Sequence, residues 1–166
     1  MQGGEFGLGK TRTFEIFKTL VQDFPQFQII AISGKNEKMK TLFDEFVNEK
    51  NATKNVKVIK YTSRVPELMH VSNVVITKPG GLTSSESLVS GLPIIIINPI
   101  PGQEEQNAEF LVQNEAAVWL KKSDNEKEFL TNLFNDNEKL ENLKKHAILL
   151  AKPYACSNIC KILLEM

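Results

Sequence analysis

The sequence predicts an α/β fold: a doubly wound, Rossmann-like parallel sheet with helices on both faces. Short apolar runs alternate with longer segments of helical periodicity, giving about five visible strands. Strands and helices alternate along the chain, and that pattern gives a parallel sheet with helices on both faces. Polar and glycine-rich clusters follow two of the runs, at strand carboxyl ends where open α/β sheets bind ligands. A length of 166 residues suits a single domain spanning 1–166.

The chain opens abruptly. Residues 1–9, MQGGEFGLG, form a glycine-rich loop that normally would follow a strand and open a helix. A first strand is therefore expected upstream. Residues 11–21 supply the helix, with Phe14, Phe17, Leu20 and Val21 at helical spacing. Residues 27–33, FQIIAIS, read as a buried strand. A helix follows over 37–49, with Met39, Leu42, Phe43 and Phe46 on one stripe. Residues 56–59 form a short strand, and a loop from Tyr61 to Met69 follows. The run at 74–76 is the next strand, a short helix carries Thr83 and Glu86, and Gly91-Leu92-Pro93 closes it. Ile94 to Ile97 make another strand, and 104–114 a helix with Ala108, Leu111 and Val112 inward. Residues 116–120 are the last clear strand, with Trp119 in core or edge packing. Ser123 is the expected cap of a helix to about Asn135. A further helix spans 136–151, Pro153 breaks it, and 157–164 end the chain as a helix.

Composition narrows the function classes. Formal net charge is zero, so nothing asks for nucleic acid. Hydrophobic content of 42% is enough for a core, and 24% charged residues is ordinary for a soluble protein. No apolar run approaches the roughly 20 residues of a membrane span, and no signal peptide is visible. Cys156 and Cys160 read as semi-buried thiols in a reducing compartment, and two sulfurs without a nearby histidine make a poor zinc site. His70 stands without partners and is weak evidence for chemistry.

Residues 78–107, KPGGLTSSESLVSGLPIIIINPIPGQEEQN, carry the densest chemistry. Gly80 and Gly81 lack a Cβ, so a ligand can approach their N–H groups closely. They stand at a helix N-terminus, where unpaired N–H groups and the dipole favour an anion. Thr83 adds a hydroxyl in the first turn. Glu86, three residues on, shares its face and suits a neutral diol such as a ribose. The bland alternative is a threonine cap and a solvated glutamate. A second polar cluster at matching depth, Gln103, Glu104 and Asn107, argues for a cleft.

Gly4 to Thr11 also match G-x-x-x-x-G-K-[ST]. A P-loop needs a preceding apolar strand and a second strand ending in an aspartate for magnesium. Neither FQIIAIS nor VVIT ends in aspartate, so the nucleoside-triphosphatase reading is weak.

The central stretch resembles the donor-binding half of glycosyltransferase family 28. The residues that carry the resemblance are TKPGGLT at 77–83, Ser85-Glu86, Gly91-Leu92-Pro93 and PIPGQEEQN at 99–107. The TKPGG and P-x-P-G-Q-E-x-x-N forms look more like the diacylglycerol branch of that family than the peptidoglycan branch. The resemblance implies one half of a two-domain GT-B enzyme whose N-terminal acceptor domain lies outside this sequence. It implies a UDP-hexose donor, glucose or galactose, and a lipid acceptor such as diacylglycerol. Gly80, Gly81 and Thr83 would hold the diphosphate, with Gly4 and Gly7 bordering it. Glu86 would hold the ribose, Tyr61 and Thr62 the nucleobase, and Gln103, Glu104 and Asn107 the sugar. No metal and no cofactor are implied, so backbone amides must offset the diphosphate's charge. The catalytic base would lie in the other half. The full-length protein would be cytoplasmic and touch the membrane face peripherally. Two other classes remain open: an isomerase of the same fold that binds UDP-sugars, for which Glu104 alone is thin acid/base support, and a binding module without turnover.

Overall fold

A computed structural model describes residues 10–165. The first helix, α1 (Lys10–Asp23), follows the expected period, with Phe17, Leu20 and Val21 buried. Its two buried stripes face different ways. Phe17 and Val21 join one cluster with the helix α2 (Glu37–Glu49) and the strands β1 (Ile29–Ile32) and β2 (Val56–Ile59). Ile16 and Leu20 join a second cluster with Ile95 and Ile97. Helix α1 therefore ties two halves of the core together. Phe17 meets Phe43 with ring centroids 4.2 Å apart, and Asn36 caps α2 by accepting the Met39 N–H at 3.1 Å.

All strand pairings among the described residues are parallel. Strands β1 and β2 pair with Ile29 opposite Val56. Strands β3 (Val75–Thr77), β4 (Ile94–Ile96) and β5 (Ala117–Trp119) form a second ladder in that order. The single sheet expected from the sequence is, among the described residues, these two ladders. Phe27 and Ile29 from the first ladder and Val74 and Ile76 from the second line a common cavity of about 640 Å³.

The isoleucine run shows why the sheet is covered on both faces. Alternate side chains of a strand point to opposite faces. Ile94 and Ile96 pack with Leu88 of α4 (Gly81–Val89), Ala108 and Leu111 of α5 (Gln103–Gln113) and Ala147 of α7 (Asn137–Leu150). Ile95 and Ile97 pack with Ile16 and Leu20 of α1 and Leu130 and Leu133 of α6 (Glu126–Asn135). All four isoleucines are at most 2% exposed. Each such burial stabilises the fold by about 1.5–3 kcal/mol.

Several local expectations are corrected. The loop after β2 contains a short helix, α3 (Val65–His70), opened by Pro66 in its first turn. Asn125, not Ser123, caps α6, accepting the Glu128 N–H at 3.0 Å. Ser123 instead donates to Asp124, whose carboxylate takes the Lys121 N–H. Leu42 and Val112 are exposed, each one position from the buried Phe43 and Leu111 and so about 100° round the helix.

The last helix, α8 (Ala155–Leu164), buries no residue, and Cys156 and Cys160 are exposed thiols rather than semi-buried ones. Residues 137–164 together are long and apolar enough to cross a membrane by length and composition only. They do not run as one helix: Ala151 is extended and Pro153 follows, splitting the stretch into helices of 14 and 10 residues. Each alone is shorter than the roughly 20 residues a span requires.

Candidate functional site

The site grows from the carboxyl ends of β3 and β4. These neighbours are held in register where Ile97 N–H donates to Thr77 O at 3.0 Å. Beyond β3 the chain passes through Pro79, which is fully buried. It reaches Gly80, the N-cap of α4, which has extended backbone (φ −67°, ψ 144°) and no side chain to cap with. The first intrahelical bond runs from Ser84 N–H to Gly80 O at 2.9 Å. The N–H groups of Gly81 and Leu82 lie ahead of it, at the positive end of the helix dipole.

The two glycines are not explained by packing. A Cβ built on Gly80 or Gly81 meets nothing within 4 Å. Gly80 has an ordinary φ that any residue adopts. Their missing side chains leave open space beside the start of a helix, where an anion is favoured. Glu86 is exposed and Thr83 half-buried on the same helix. The inward side carries small residues. Ser87 Oγ donates to Thr83 O at 2.7 Å, while Ser84 Oγ is buried without a partner.

Beyond β4 the chain turns through Asn98 (φ 45°) and Gly102 (φ 95°) into α5. Gly102 is required there, since a side chain strains at that φ. Gln103 is exposed and Glu104 half-buried. One Glu104 oxygen, Oε2, accepts the Ile100 N–H at 2.7 Å and so braces the loop. Glu104 and Glu105 both lie in the first turn of α5, where the dipole favours them. Asn107 reaches across to the other loop: its Nδ2 donates to Pro79 O at 2.9 Å.

The structure thus brings together the two polar clusters, Gly80 to Glu86 and Gln103 to Asn107, through a bond spanning 28 positions. It does not tie the expected nucleobase loop to them, among the described residues. Tyr61 is 71% exposed, and Thr62 Oγ1 accepts the Arg64 N–H at 3.0 Å, forming a local turn. Gly4 and Gly7 lie outside the described residues. No group of three or more His, Cys, Asp or Glu side chains among the described residues could hold a metal. The sequence reading missed Ser33, whose buried Oγ at the end of β1 has no partner. It also missed the main-chain partners of Glu104 and Asn107, which no spacing encodes.

Comparison with known proteins gives the family and the fold. The family model for the glycosyltransferase family 28 C-terminal domain matches residues 12–156. The processive diacylglycerol beta-glucosyltransferase of Bacillus subtilis is 34% identical over 91% of this chain and 38% of its own length. That of Staphylococcus epidermidis is 32% identical over 100% of this chain and 41% of its own. The chain therefore spans about two fifths of the curated relatives it matches. Among solved structures, MurG of Acinetobacter baumannii superimposes with a TM-score of 0.72 at 19% identity, over 100% of this chain and 49% of that one. HepE of Anabaena, solved in complex with UDP, gives 0.68 at 14% identity over 99% of this chain and 48% of that one. The fold is that of one half of a GT-B glycosyltransferase. With most of its length inside the family model, the chain belongs to glycosyltransferase family 28 and carries its C-terminal domain.

Proposed function

We propose that this chain binds a UDP-hexose and serves as the donor half of a hexosyltransferase that moves glucose or galactose onto diacylglycerol or its glycosylated product. One observation carries the reading: the two glycines that open α4 leave space where side chains would stand, and neither packing nor backbone strain explains them. A diphosphate is the anion that fits, because a nucleoside diphosphate leaves Glu86 one turn along for the ribose hydroxyls. Gln103, the unassigned oxygen of Glu104, and Asn107 stand beside the sugar. Diacylglycerol as acceptor, and glucose as hexose, rest on the names of relatives about a third identical.

In transfer, negative charge grows on the diphosphate as the glycosidic bond to the hexose breaks. The Gly80, Gly81 and Leu82 N–H groups and the α4 dipole stabilise that charge without reorganising. No metal or cofactor is needed for this step in the proposed mechanism. The acceptor site and catalytic base belong to the remaining part of a longer protein, which would work at the cytoplasmic membrane face where its lipid acceptor resides. The chain alone binds donor and transfers nothing.

Calorimetry with UDP, UMP, ADP and GDP tests the reading. UDP should bind most tightly and UMP more weakly, since UMP lacks the second phosphate. Equal affinity for all four, or none for any, would sink the nucleotide assignment. Appreciable transfer to diacylglycerol by this chain alone would sink the half-enzyme assignment.

A further inference from the structure

We propose that Asn107 is a positioning residue that aims the Gly80 N–H at the donor diphosphate by holding the Pro79 carbonyl; this rests on the donor-binding reading above. A trans peptide is planar, with its C=O and N–H pointing in opposite directions. Pro79 O and the Gly80 N–H belong to one such plane. The Asn107 Nδ2 bond to Pro79 O, 2.9 Å long, therefore fixes where the Gly80 N–H points. The plane needs fixing. The bond from Ser84 N–H to Gly80 O holds the plane after Gly80, whereas the plane before it turns on the φ of a glycine, which has no side chain to limit it. Pro79 is buried and rigid on one side, and α4 begins at Gly81 on the other. Asn107 stands in α5, whose first turn is itself braced by the Glu104 bond to Ile100 N–H. The strut thus couples the loop that meets phosphate to the helix that carries the sugar-facing residues.

Binding of inorganic pyrophosphate separates this role from a sugar contact, because pyrophosphate has no sugar. Asn107→Ala should weaken pyrophosphate about tenfold, the worth of one aligned hydrogen bond. Asn107→Asp places an acceptor against the carbonyl and should weaken it at least as much at roughly pH 8. A protonated carboxyl regains an O–H donor, so Asn107→Asp should recover toward wild type, measured at the same pH, as pH falls to roughly 5. Asn107→Ala should not recover. The Gly80 amide resonance, read without ligand, should follow the same titration in Asn107→Asp and stay put in the wild type. Wild-type pyrophosphate affinity in Asn107→Ala overturns the strut. So does an Asn107→Asp protein whose Gly80 amide and affinity ignore pH. Failure of the wild type to bind either pyrophosphate or UDP would instead overturn the donor reading itself, and the strut with it.

Discussion

The Glu104 carboxylate accepts the Ile100 N–H at 2.7 Å, so a side chain expected to read sugar hydroxyls also braces the loop that carries it. The two duties separate by substitution. Glu104→Gln keeps an acceptor oxygen for Ile100 and should leave stability within about 0.5 kcal/mol. Glu104→Ala removes it and should cost about 0.5–1.5 kcal/mol in urea unfolding. Both should leave UDP affinity nearly intact. Both should blur discrimination between UDP-glucose and UDP-galactose, because a site built to hydrogen-bond a hydroxyl rejects ligands that misplace it. Unchanged selectivity in both variants would reduce Glu104 to a loop brace.

Gly91 supplies a contrast in what a glycine does. Its φ is +64°, and a Cβ there would stand 3.2 Å from Ile148 Cγ1 of α7. Its N–H donates to Leu88 O, and the Leu92 N–H to Ser87 O, closing α4. Gly91→Ala should therefore cost about 1–2 kcal/mol, mostly from backbone strain. Gly91→Asn should cost less, since asparagine tolerates this region best among side chains. Chemical denaturation of the two variants and the wild type checks the order. Donor affinity should be unchanged in both.

The alternating pattern of strands and helices was legible because its cause is local. Ile94 to Ile97 are buried on both faces, and a run with no polar member can only be so. The glycines and acids of 80–107 stood out in the sequence because residue type and order are local, and the structure places them at the carboxyl ends of β3 and β4. What escaped was set by tertiary geometry. Asn107 was visible as an amide near a helix start, yet its partner is a main-chain carbonyl 28 positions away. Asn125 displaced Ser123 as a cap because Ser123 and Asp124 close a turn of their own with Lys121. The exposure of Cys156 and Cys160 follows from α8 lying off the body of the domain. Helical spacing gives the face two residues share, but not whether anything covers it.

Glu86 is exposed on α4, about one turn beyond the phosphate end. A ribose there would offer two hydroxyls to one carboxylate. Glu86→Ala should weaken UDP by about 1–3 kcal/mol, the range for hydrogen bonds to a charged group. Pyrophosphate, which has no ribose, should lose almost nothing. Parallel titrations decide the matter. If both ligands weaken alike, Glu86 acts through the electrostatic field of the helix and not through the sugar.

Gly81→Ala sets stability and binding against each other. Gly81 is the first residue of α4, exposed, with no atom within 4 Å of its Cβ position. Alanine fits a helix better than glycine because the unfolded chain has less freedom to lose. The substitution should therefore leave the fold unharmed or stabilise it by up to about 1 kcal/mol. The new methyl stands in the space through which a phosphate would reach the Gly81 and Leu82 N–H groups. UDP and pyrophosphate should both weaken, by a similar factor, because the obstruction lies at the moiety they share. A glycine kept only for a loose helix start would give a stabilised protein with unchanged affinity. Thermal melts beside titrations of both ligands on one preparation distinguish the cases. A more stable protein that binds neither ligand well is the result that ties the open end of α4 to the diphosphate.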